Sequence, residues 1–480
     1  MLFATEVSRC PSYAELEALV AEQAARIVEL EALVAELRAQ LDQNSRNSSK
    51  SPSSDGYAKP AANKKKRSLR RRSGRKPGGQ PGHRGHHLER REDPDRTVLH
   101  AVERCECCAR DLSDAPIVES QSRQVFDLPE MPRLDCVEHW IQKRRCECGH
   151  LTGSAFPASV TASVCYGPRI RALGIYLVSY QHLPFERAAE ILSDWANAPI
   201  SVATLQAFVA QGADGLGEFL EEIRRQLTGA EVAHFDETGG RIEGRLGWIH
   251  SASTQTLTLL TAHRKRGVEA MVDAAVLPGF GGIAVHDGWA PYRNFEDALH
   301  ALCGAHHLRE LIGAEEQGQA WALGMGCLLL DTKELVDRAK DAGRKRLSAT
   351  VLAELHASYR ALIGFGYEEN PGLADRPEGR QPKRTKAQNL LLRLDQREPE
   401  VLRFAHDFRV PFDNNLCERD LRMIKLQQKI SGCWRTTAGA ERFLVIRSYL
   451  STARKQGQRP IDVLCRLAAG EAWLPHAAGP

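Results

Sequence analysis

The sequence predicts a multidomain α+β protein, in which a long N-terminal helix precedes a cysteine-rich module, a helical segment and an α/β core. At 480 residues the chain is longer than one compact hydrophobic core supports. A heptad repeat opens it, and a dense run of Lys and Arg separates that repeat from the rest. Beyond residue 230, strand-like apolar runs alternate with turn residues and a short helical pattern. These changes in pattern indicate several structural units.

Residues 13–41 carry a heptad repeat of apolar residues. β-Branched residues are frequent at the a positions and Leu at the d positions, which favours a parallel two-stranded coiled coil. Arg26 at g is placed to meet Glu31 at e of a partner helix. Leu19 and Leu33 at g widen the apolar stripe, so a trimer, or packing against the rest of the chain, is the alternative. The pattern therefore predicts a homo-oligomer.

A polar linker, DQNSRNSSKSPSSDG, with the composition of a disordered segment, leads into a strongly basic arm. Between Lys59 and Arg91 there are 13 Lys or Arg and one acid, Glu89, whereas the whole chain has a net charge of +4. Gly and Pro oppose a helix here, so the charges are expected on a flexible arm that can follow a DNA backbone through counterion release. A solvated tail is the alternative. The expected DNA contacts in the arm are Lys64, Lys65, Lys66, Arg67, Arg70, Arg71, Arg72, Arg75 and Lys76.

Cysteines are concentrated after the basic arm. A CxxC and, about 40 residues later, a CxC supply four candidate ligands, Cys105, Cys108, Cys146 and Cys148. Two close pairs of thiolates suit a structural, tetrahedral Zn²⁺. The intervening segments RQVFDLPEMP and VEHWIQKRR are strand-like, so we predict a small zinc ribbon. Cys107 and Cys136 are further candidate ligands, and reduced packing cysteines are the alternative.

Residues 166–228 have helical patterns. GPRIRALGIYLVSYQ is amphipathic and begins after a Gly-Pro pair. The segments PFERAAEILSDW and VATLQAFVAQ, joined by ANAPIS, are similar to a helix-turn-helix, with Ser201 as the N-cap of the second helix. This pattern predicts a DNA-binding domain, with simple helix packing as the alternative.

The segment 230–305 is strand-like. Three runs, a helix at KRGVEAMVDAAVL and then the strand GGIAVHD follow the order of a ribonuclease-H-like core, and ALHALCGAH is a further strand candidate. Residues 308–404 are mainly helical and interrupt this core, and AERFLVIRSYLSTARKQG is a closing helix. The expected domains begin with a coiled coil at 1–43, a linker with the basic arm at 44–92, a zinc-finger module at 93–158 and a helical domain at 159–228. The core follows in two segments, at 229–307 and 405–457, with a helical insertion at 308–404 between them and a C-terminal segment at 458–480.

Three carboxylates are candidates for catalysis. Asp236 and Asp287 each follow a strand-like run, and Glu418 lies on a predicted helix. Carboxylates from adjacent strand ends and a helix can hold two Mg²⁺ (or Mn²⁺) ions, which act on a phosphodiester. The simplest assignment has Asp236 bridging both ions, Asp287 binding one and Glu418 the other. Turn formation by the aspartates and a capping box between Asn415 and Glu418 are the alternatives.

Basic residues surround Glu418 on its predicted helix. Helical spacing places several of them on one face, where they can hold DNA phosphates, with a solvated face as the alternative: Arg419, Arg422, Lys425 and Lys429. Arg435 and Arg442 are candidates to extend this surface. Cys303 and His306 form a CxxH, predicted as a structural pair near the site, and we expect His286 to serve packing rather than as a base.

Nearly the whole chain resembles the insertion-sequence-66 family of bacterial transposases, a DDE group. Strings that carry the resemblance include GRKPGGQPGHRGH, DETGGRIEGRLGWIH, VHDGWAPY and VPFDNNLCERDLRMIKLQQKISG. The resemblance implies Asp236, Asp287 and Glu418 as a catalytic triad that nicks element ends and joins the freed 3′-hydroxyl to target DNA. It also implies a helical insertion before Glu418. Departures at Cys417, Gly304 and His307 leave the carboxylates intact.

Two other classes of protein remain as alternatives: a catalytically inactive zinc and helix-turn-helix regulator, and a scaffold dimerised by the coiled coil. The three carboxylates favour the enzyme, and the basic arm disfavours the scaffold. The expected partners are DNA, a second copy of the chain and other element-encoded proteins. No apolar run approaches the ~18–20 residues that span a membrane, and no signal peptide pattern opens the chain. We therefore expect a cytoplasmic bacterial protein that joins the nucleoid when bound to DNA.

Overall fold

A computed structural model describes residues 13–41, 43–44, 46–48, 90–127, 134–157, 160, 162–371, 373 and 384–476. The described residues form two compact units. The larger takes its residues from 1–69, 139–189 and 201–480, and the smaller from 70–138 and 190–200. The predicted basic arm lies outside the described residues, apart from its last two positions, Arg90 and Arg91.

Helices and a five-stranded sheet together give the mixed α+β architecture expected from the sequence. The helices are α1 Tyr13–Leu41, α2 Pro168–Ile175, α3 Phe185–Ala196, α4 Val202–Asp214, α5 Gly217–Thr228, α6 Val268–Asp273, α7 Gly304–Glu315, α8 Ala320–Asp341, α9 Ala349–Glu368, α10 Lys386–Gln396, α11 Glu398–Val401, α12 Arg403–His406, α13 Asn415–Ser431, α14 Thr437–Lys455 and α15 Pro460–Ala468. The strands are β1 Lys143–Arg145, β2 Leu151–Gly153, β3 Val232–Ile242, β4 Arg245–Ser253, β5 Thr258–His263, β6 Ile283–His286 and β7 Leu299–Leu302. Within these ranges, none of the helices combines the length and apolar character that crossing a bilayer requires.

Helix α1 spans the predicted heptad region, Tyr13–Leu41. Several a and d side chains are exposed in the single chain, among them Val20, Ile27, Leu30 and Val34. An exposed apolar stripe of this kind is what an unpartnered coiled-coil helix presents. Its oligomeric state stays a prediction.

The strands around the CxC pair differ from the prediction. The strand expected in RQVFDLPEMP is absent from its described residues, 123–127, and the strand expected in VEHWIQKRR is confirmed only at its end. Only Lys143–Arg145, at the end of the second segment, is extended and pairs with β2. The turn between them places Gly149 at φ +87°, a conformation that glycine adopts without strain. The hairpin therefore brackets the CxC, with one strand before it and one after it in the sequence.

The five-stranded sheet has the order β5-β4-β3-β6-β7. Strands β3, β4 and β5 are antiparallel neighbours, whereas β3–β6 and β6–β7 are parallel pairs. The predicted order of three strands, a helix and a strand is therefore present. The last predicted strand is shorter than expected, because β7 ends at Leu302 and α7 begins at Gly304.

Helices cover the sheet and form two apolar clusters. Helices α13 and α14 pack against β3, β4 and β5, around Ile249, Ile424 and Phe443. A larger cluster joins β6 and β7 to the helices between 304 and 406, with Trp321 fully buried. Helix α4 starts at the predicted N-cap, where Ser201 Oγ accepts from Thr204 N at 3.1 Å, and packs against α2 and α14. Helix α15 near the C-terminus had no predicted counterpart.

Candidate active site in a cleft beside the sheet

Asp236 and Asp287 lie on neighbouring parallel strands. His234 of β3 is level with Val285 of β6, so the same register carried two residues further brings Asp236 level with Asp287. Asp287 follows the last residue of β6 and accepts a 2.8 Å hydrogen bond from Trp289 N. The sheet therefore brings the two aspartates to one place, as the sequence predicts.

Glu418 stands in the first turn of α13. The helix is capped at Asn414 without a side-chain capping bond, so the capping box between Asn415 and Glu418 is absent. Instead, Glu418 Oε1 faces Arg309 Nη2 at 3.8 Å and His306 Nδ1 at 3.9 Å. The glutamate is therefore held among these side chains and not at the helix backbone.

Asn414 fixes the start of α13 to β3. Its fully buried side chain donates from Nδ2 to Phe235 O at 2.8 Å and accepts at Oδ1 from His234 Nδ1 at 2.8 Å. Its backbone N–H points to Cys303 Sγ at 3.1 Å. These bonds tie the helix to the strand that carries Asp236 and to the residue before α7. The position of Glu418 relative to the aspartates depends on them.

A second anchor lies on the other side of α13. Asp420 Oδ2 accepts from Ser253 Oγ at 2.7 Å and Thr258 Oγ1 at 3.0 Å, and pairs with Lys455 Nζ at 2.8 Å. At Gly240 a Cβ would lie 2.5 Å from the end of the Ile249 side chain of β4 and 2.9 Å from the end of the Gln428 side chain of α13. The second glycine of DETGG thus leaves room for these two side chains over β3.

All three carboxylates line one cleft of about 580 Å³. Its other polar lining residues are mostly cationic or amphipathic: Thr238, Trp248, Arg266, His306, Arg309, Arg422, Lys425 and Lys429, together with Glu237. A concave site with half-buried carboxylates and a cationic rim suits a polyanionic substrate.

The carboxylates of the cleft are electrostatically strained. Burial, with the charges of Glu237 and Asp287, raises the pKa of Asp236 well above its usual range. Burial also raises the pKa of Glu418, against the lowering effect of Arg309. Burial is the largest cause of both shifts, and neighbouring carboxylates add to it at Asp236, so ionising these groups is costly unless a cation is bound beside them.

The segment that builds this cleft matches a known protein family. The family model described as "Transposase IS66 family" matches residues 163–442, more than half of the chain and including all three carboxylates. The chain belongs to the IS66 family of transposases. A second model, described as a family of unknown function (DUF6444), matches residues 6–89. No curated protein matches the chain.

Membership of a transposase family gives the cleft its context, since such proteins act on DNA and DDE transposases generally use divalent metals. Within the described residues, no three or more His, Cys, Asp or Glu side chains stand in an arrangement that could hold a metal ion. The roles of Asp236, Asp287 and Glu418 as metal ligands therefore stay predictions.

Two residues of the cleft were missed by sequence reasoning. The Glu237 side chain is fully buried, and its Oε1 accepts from Arg266 Nε at 2.8 Å and Nη2 at 2.6 Å. Its Oε2 accepts from Tyr292 OH at 2.8 Å. Burial and Asp287 raise the pKa of Glu237 to about 7. Successive side chains of a strand point to opposite faces, so the sequence argues against Glu237 sharing a site with Asp236. No sequence motif in its loop marks Arg266 as a site residue.

His286 has the packing role expected of it. It stacks on Tyr292 with 4.2 Å between ring centroids. Gly288 N donates to its Nδ1 at 3.0 Å, so its Nε2 carries the proton and donates to His300 Nδ1 at 3.0 Å. Both ring nitrogens are occupied. Burial lowers the pKa of His286 well below its usual range, which keeps the ring neutral.

The two residues of the CxxH motif, Cys303 and His306, have different roles. Cys303 is buried and precedes α7, and burial raises the pKa of its thiol to about 12. His306 lies in the cleft beside Glu418, and burial with the charges of Arg309 and Arg393 lowers its pKa to about 3. Cys303 is therefore structural, whereas His306 is a neutral neighbour of the carboxylates.

The predicted DNA-contacting residues of α13 separate into two groups. Arg422, Lys425 and Lys429 line the cleft, and Lys425 Nζ donates to Gly239 O. Arg419 is exposed and does not line the cleft, because it is one position out of step with the face that holds Glu418. The arm residues from Lys64 to Lys76 lie outside the described residues.

The cysteine pairs each resemble half of a zinc site. Backbone hydrogen bonds from Cys108 and Cys107 lower the pKa of Cys105, and backbone and thiol bonds from Cys148 lower that of Cys146. Thiols held with backbone N–H groups directed at sulfur favour thiolate ligands. Zinc binding by Cys105, Cys108, Cys146 and Cys148 stays a prediction.

Proposed function

We propose that the protein is a DNA transposase that cleaves the ends of its element and transfers the 3′-hydroxyl to target DNA, using Asp236, Asp287 and Glu418 to hold two divalent ions. The observation that carries the proposal is the cleft in which these three carboxylates meet a cationic rim. Membership of the IS66 family supports it.

The sheet supports the same assignment. The order β5-β4-β3-β6-β7, with an antiparallel half and a parallel half, is that of a ribonuclease-H-like core. In this core, Asp236 lies on the central strand and Asp287 at the end of its parallel neighbour. Glu418 comes from a helix packed on the same sheet. The proposed insertion, 308–404, corresponds to the helices from α7 to α12.

The residues fit Mg²⁺ or Mn²⁺. Carboxylate oxygens are the donors that these ions prefer, and burial, which raises the pKa of Asp236 and Glu418, makes their ionised forms costly without a bound cation. Bound ions would supply activation of the attacking hydroxyl and stabilisation of the leaving oxygen. Asp236 and Asp287 would hold them from the sheet and Glu418 from α13.

The other side chains of the cleft bind and orient the DNA strand. Arg422, Lys425 and Lys429 offer cations to backbone phosphates along α13. Arg309 faces Glu418 and supplies a further positive charge beside the reacting centre. Phosphoryl transfer depends mainly on positioning and charge neutralisation. These residues would position the DNA strand and neutralise its charge without forming a covalent bond to it.

The N-terminal regions complete the proposed assembly. We infer a homo-oligomer through α1, DNA contact through the arm and a structural Zn²⁺ on Cys105, Cys108, Cys146 and Cys148. Helices α3 and α4 are the proposed helix-turn-helix. The protein would act in the bacterial cytoplasm on nucleoid DNA, with or without other element-encoded proteins.

Strand cleavage tests the proposal. Duplexes carrying candidate element ends are incubated with Mg²⁺ and the cleaved strand is mapped. Asp287→Asn is expected to abolish cleavage and joining while leaving end binding intact, because it removes ligand charge without removing the cationic rim. Asp297→Asn changes an exposed acid a short distance along the chain, so it is the matched control and should cleave normally. Cleavage by the Asp287→Asn variant at the wild-type rate would contradict the site assignment.

A further inference from the structure

Arg266 occupies an unusual position in the cleft. It lies in the loop between β5 and α6, and its guanidinium carbon is 3.9 Å from the ring centroid of Trp289 and 4.9 Å from that of Trp248. Arginine stacks on indole rings through cation–π attraction, which restricts its rotamers. The two rings therefore hold a long and otherwise variable side chain in one orientation.

Glu237 fixes the same guanidinium from one edge. Both Nε and Nη2 of Arg266 donate to Glu237 Oε1, and Tyr292 OH occupies the other carboxylate oxygen. The carboxylate is thereby saturated by protein donors and cannot turn towards a ligand in the cleft. Its side chain is fully buried, whereas that of Arg266 is 34% exposed.

One edge of the guanidinium is left for a ligand. Among the described residues, Nη1 of Arg266 has no hydrogen-bonding partner. A single positive charge is enough to balance the buried carboxylate of Glu237, and a lysine in place of Arg266 would supply that charge. A stacked guanidinium with three N–H groups to spare, two on Nη1 and one on Nη2, is suited to a second oxyanion.

The surroundings identify that oxyanion. Arg266 lines the same cleft as Asp236, Asp287 and Glu418, and the backbone of its stacking partner Trp289 holds the Asp287 carboxylate at 2.8 Å. The cleft cations Arg422, Lys425 and Lys429 come from α13, whereas Arg266 comes from the β5–α6 loop. A DNA strand that reaches Asp287 therefore passes a guanidinium held on the sheet side of the cleft.

We propose that Arg266 binds a backbone phosphate of the DNA strand that enters the cleft, and that Glu237, Trp248 and Trp289 position its guanidinium for this contact. The inference rests on the proposed function, since it assigns one phosphate contact of that substrate. The α13 cations would then contact the DNA strand from one element, and Arg266 would contact it from a second element, next to Asp287.

DNA binding without divalent ions tests the contact apart from catalysis. The affinity for an element-end duplex is measured by fluorescence anisotropy between about 50 and 200 mM salt, and the unfolding temperature of each variant is recorded. In the double variant Arg266→Gln with Glu237→Gln, neutral amides replace the buried ion pair. Its affinity is expected to fall about tenfold, and the slope of log affinity against log salt to weaken by about one.

Two further variants separate a phosphate contact from a structural effect. Arg266→Lys keeps a cation for Glu237 but loses the paired hydrogen bonds, the stacking on the indole rings and the second arm for a phosphate. Measured at a temperature where its unfolding curve shows it folded, it should bind about fivefold more weakly. Arg264→Gln is the matched control, because Arg264 is 79% exposed and pairs with Glu243. It should bind as the wild type does.

The outcomes are distinct. Wild-type affinity and salt slope in Arg266→Lys or in the folded double variant would overturn the proposal and leave the proposed function standing. A wild-type protein that binds no duplex at any of these salt concentrations would overturn the proposed function, and the phosphate contact with it.

Discussion

Replacing Asn414 by Ala is expected to damage both stability and catalysis, although Asn414 touches no substrate. The change removes the bond from Nδ2 to the Phe235 carbonyl and the bond that Oδ1 accepts from His234. Each loss leaves a buried partner without a hydrogen bond, because the site is closed to water. Helix α13 then loses the link that ties its first turn to β3.

The magnitude follows from these two bonds. A buried group left without its partner costs about 1–3 kcal/mol. Two such groups, with partial relaxation, lower the free energy of unfolding by about 2–4 kcal/mol. Displacement of Glu418 by about 1 Å relative to the aspartates is enough to lower the cleavage rate about 100-fold.

The assay combines urea denaturation with Mg²⁺-dependent strand cleavage at a temperature where the variant remains folded. Asn415→Ala is the matched control, because Asn415 is exposed and its backbone N–H, not its side chain, bonds to Asp413. It should change neither quantity appreciably. A variant Asn414→Ala with the unfolding free energy and cleavage rate of the wild type would refute the view that this residue positions Glu418.

Two other predictions concern the N-terminal helix and pH. Deleting residues 1–43 should reduce the oligomer mass in sedimentation, because it removes the exposed apolar stripe of α1, and an unchanged mass would count against a coiled coil. Burial lowers the pKa of His250 from 6.5 to about 4, so the folded state binds this proton less readily than the unfolded state. The stability advantage of the wild type over His250→Gln should therefore be complete above about pH 6.5 and shrink as the pH falls towards about 4, as measured by denaturation at several pH values, whereas a constant difference would disprove it.

The sequence predicts best where a pattern is local and periodic. The heptad marks α1 to its last residue, Ser201 marks the start of α4, and the apolar runs mark β4, β6 and the first part of β3, which continues past Asp236 to Ile242. Asp236 and Asp287 come level with each other because β3 and β6 are adjacent and parallel, a consequence of topology alone. The sequence also predicts that Glu418 lies on a helix, but it does not predict the contacts that orient the Glu418 side chain.

Contacts between distant segments are what the sequence leaves out. The side chain of Arg266 is held in the cleft by Trp248, Trp289 and Glu237. These three residues belong to separate segments, and no sequence spacing connects them. Around Cys146, strand propensity does not predict the hairpin of β1 and β2, because the turn that contains Gly149 decides which residues pair. Charge alone groups Arg419 with the DNA contacts, whereas the helix phase assigns it to another face.

The central claim, that three carboxylates form one divalent-metal site, is tested most directly by locating the ions. Crystals of the protein with Mn²⁺ and an element-end duplex would be measured at the manganese absorption edge. Two anomalous peaks about 3.5–4 Å apart are expected in the cleft, beside Asp236, Asp287 and Glu418. Saturating Mn²⁺ without a peak at these carboxylates, in a protein that still cleaves DNA, would contradict their assignment to one metal site.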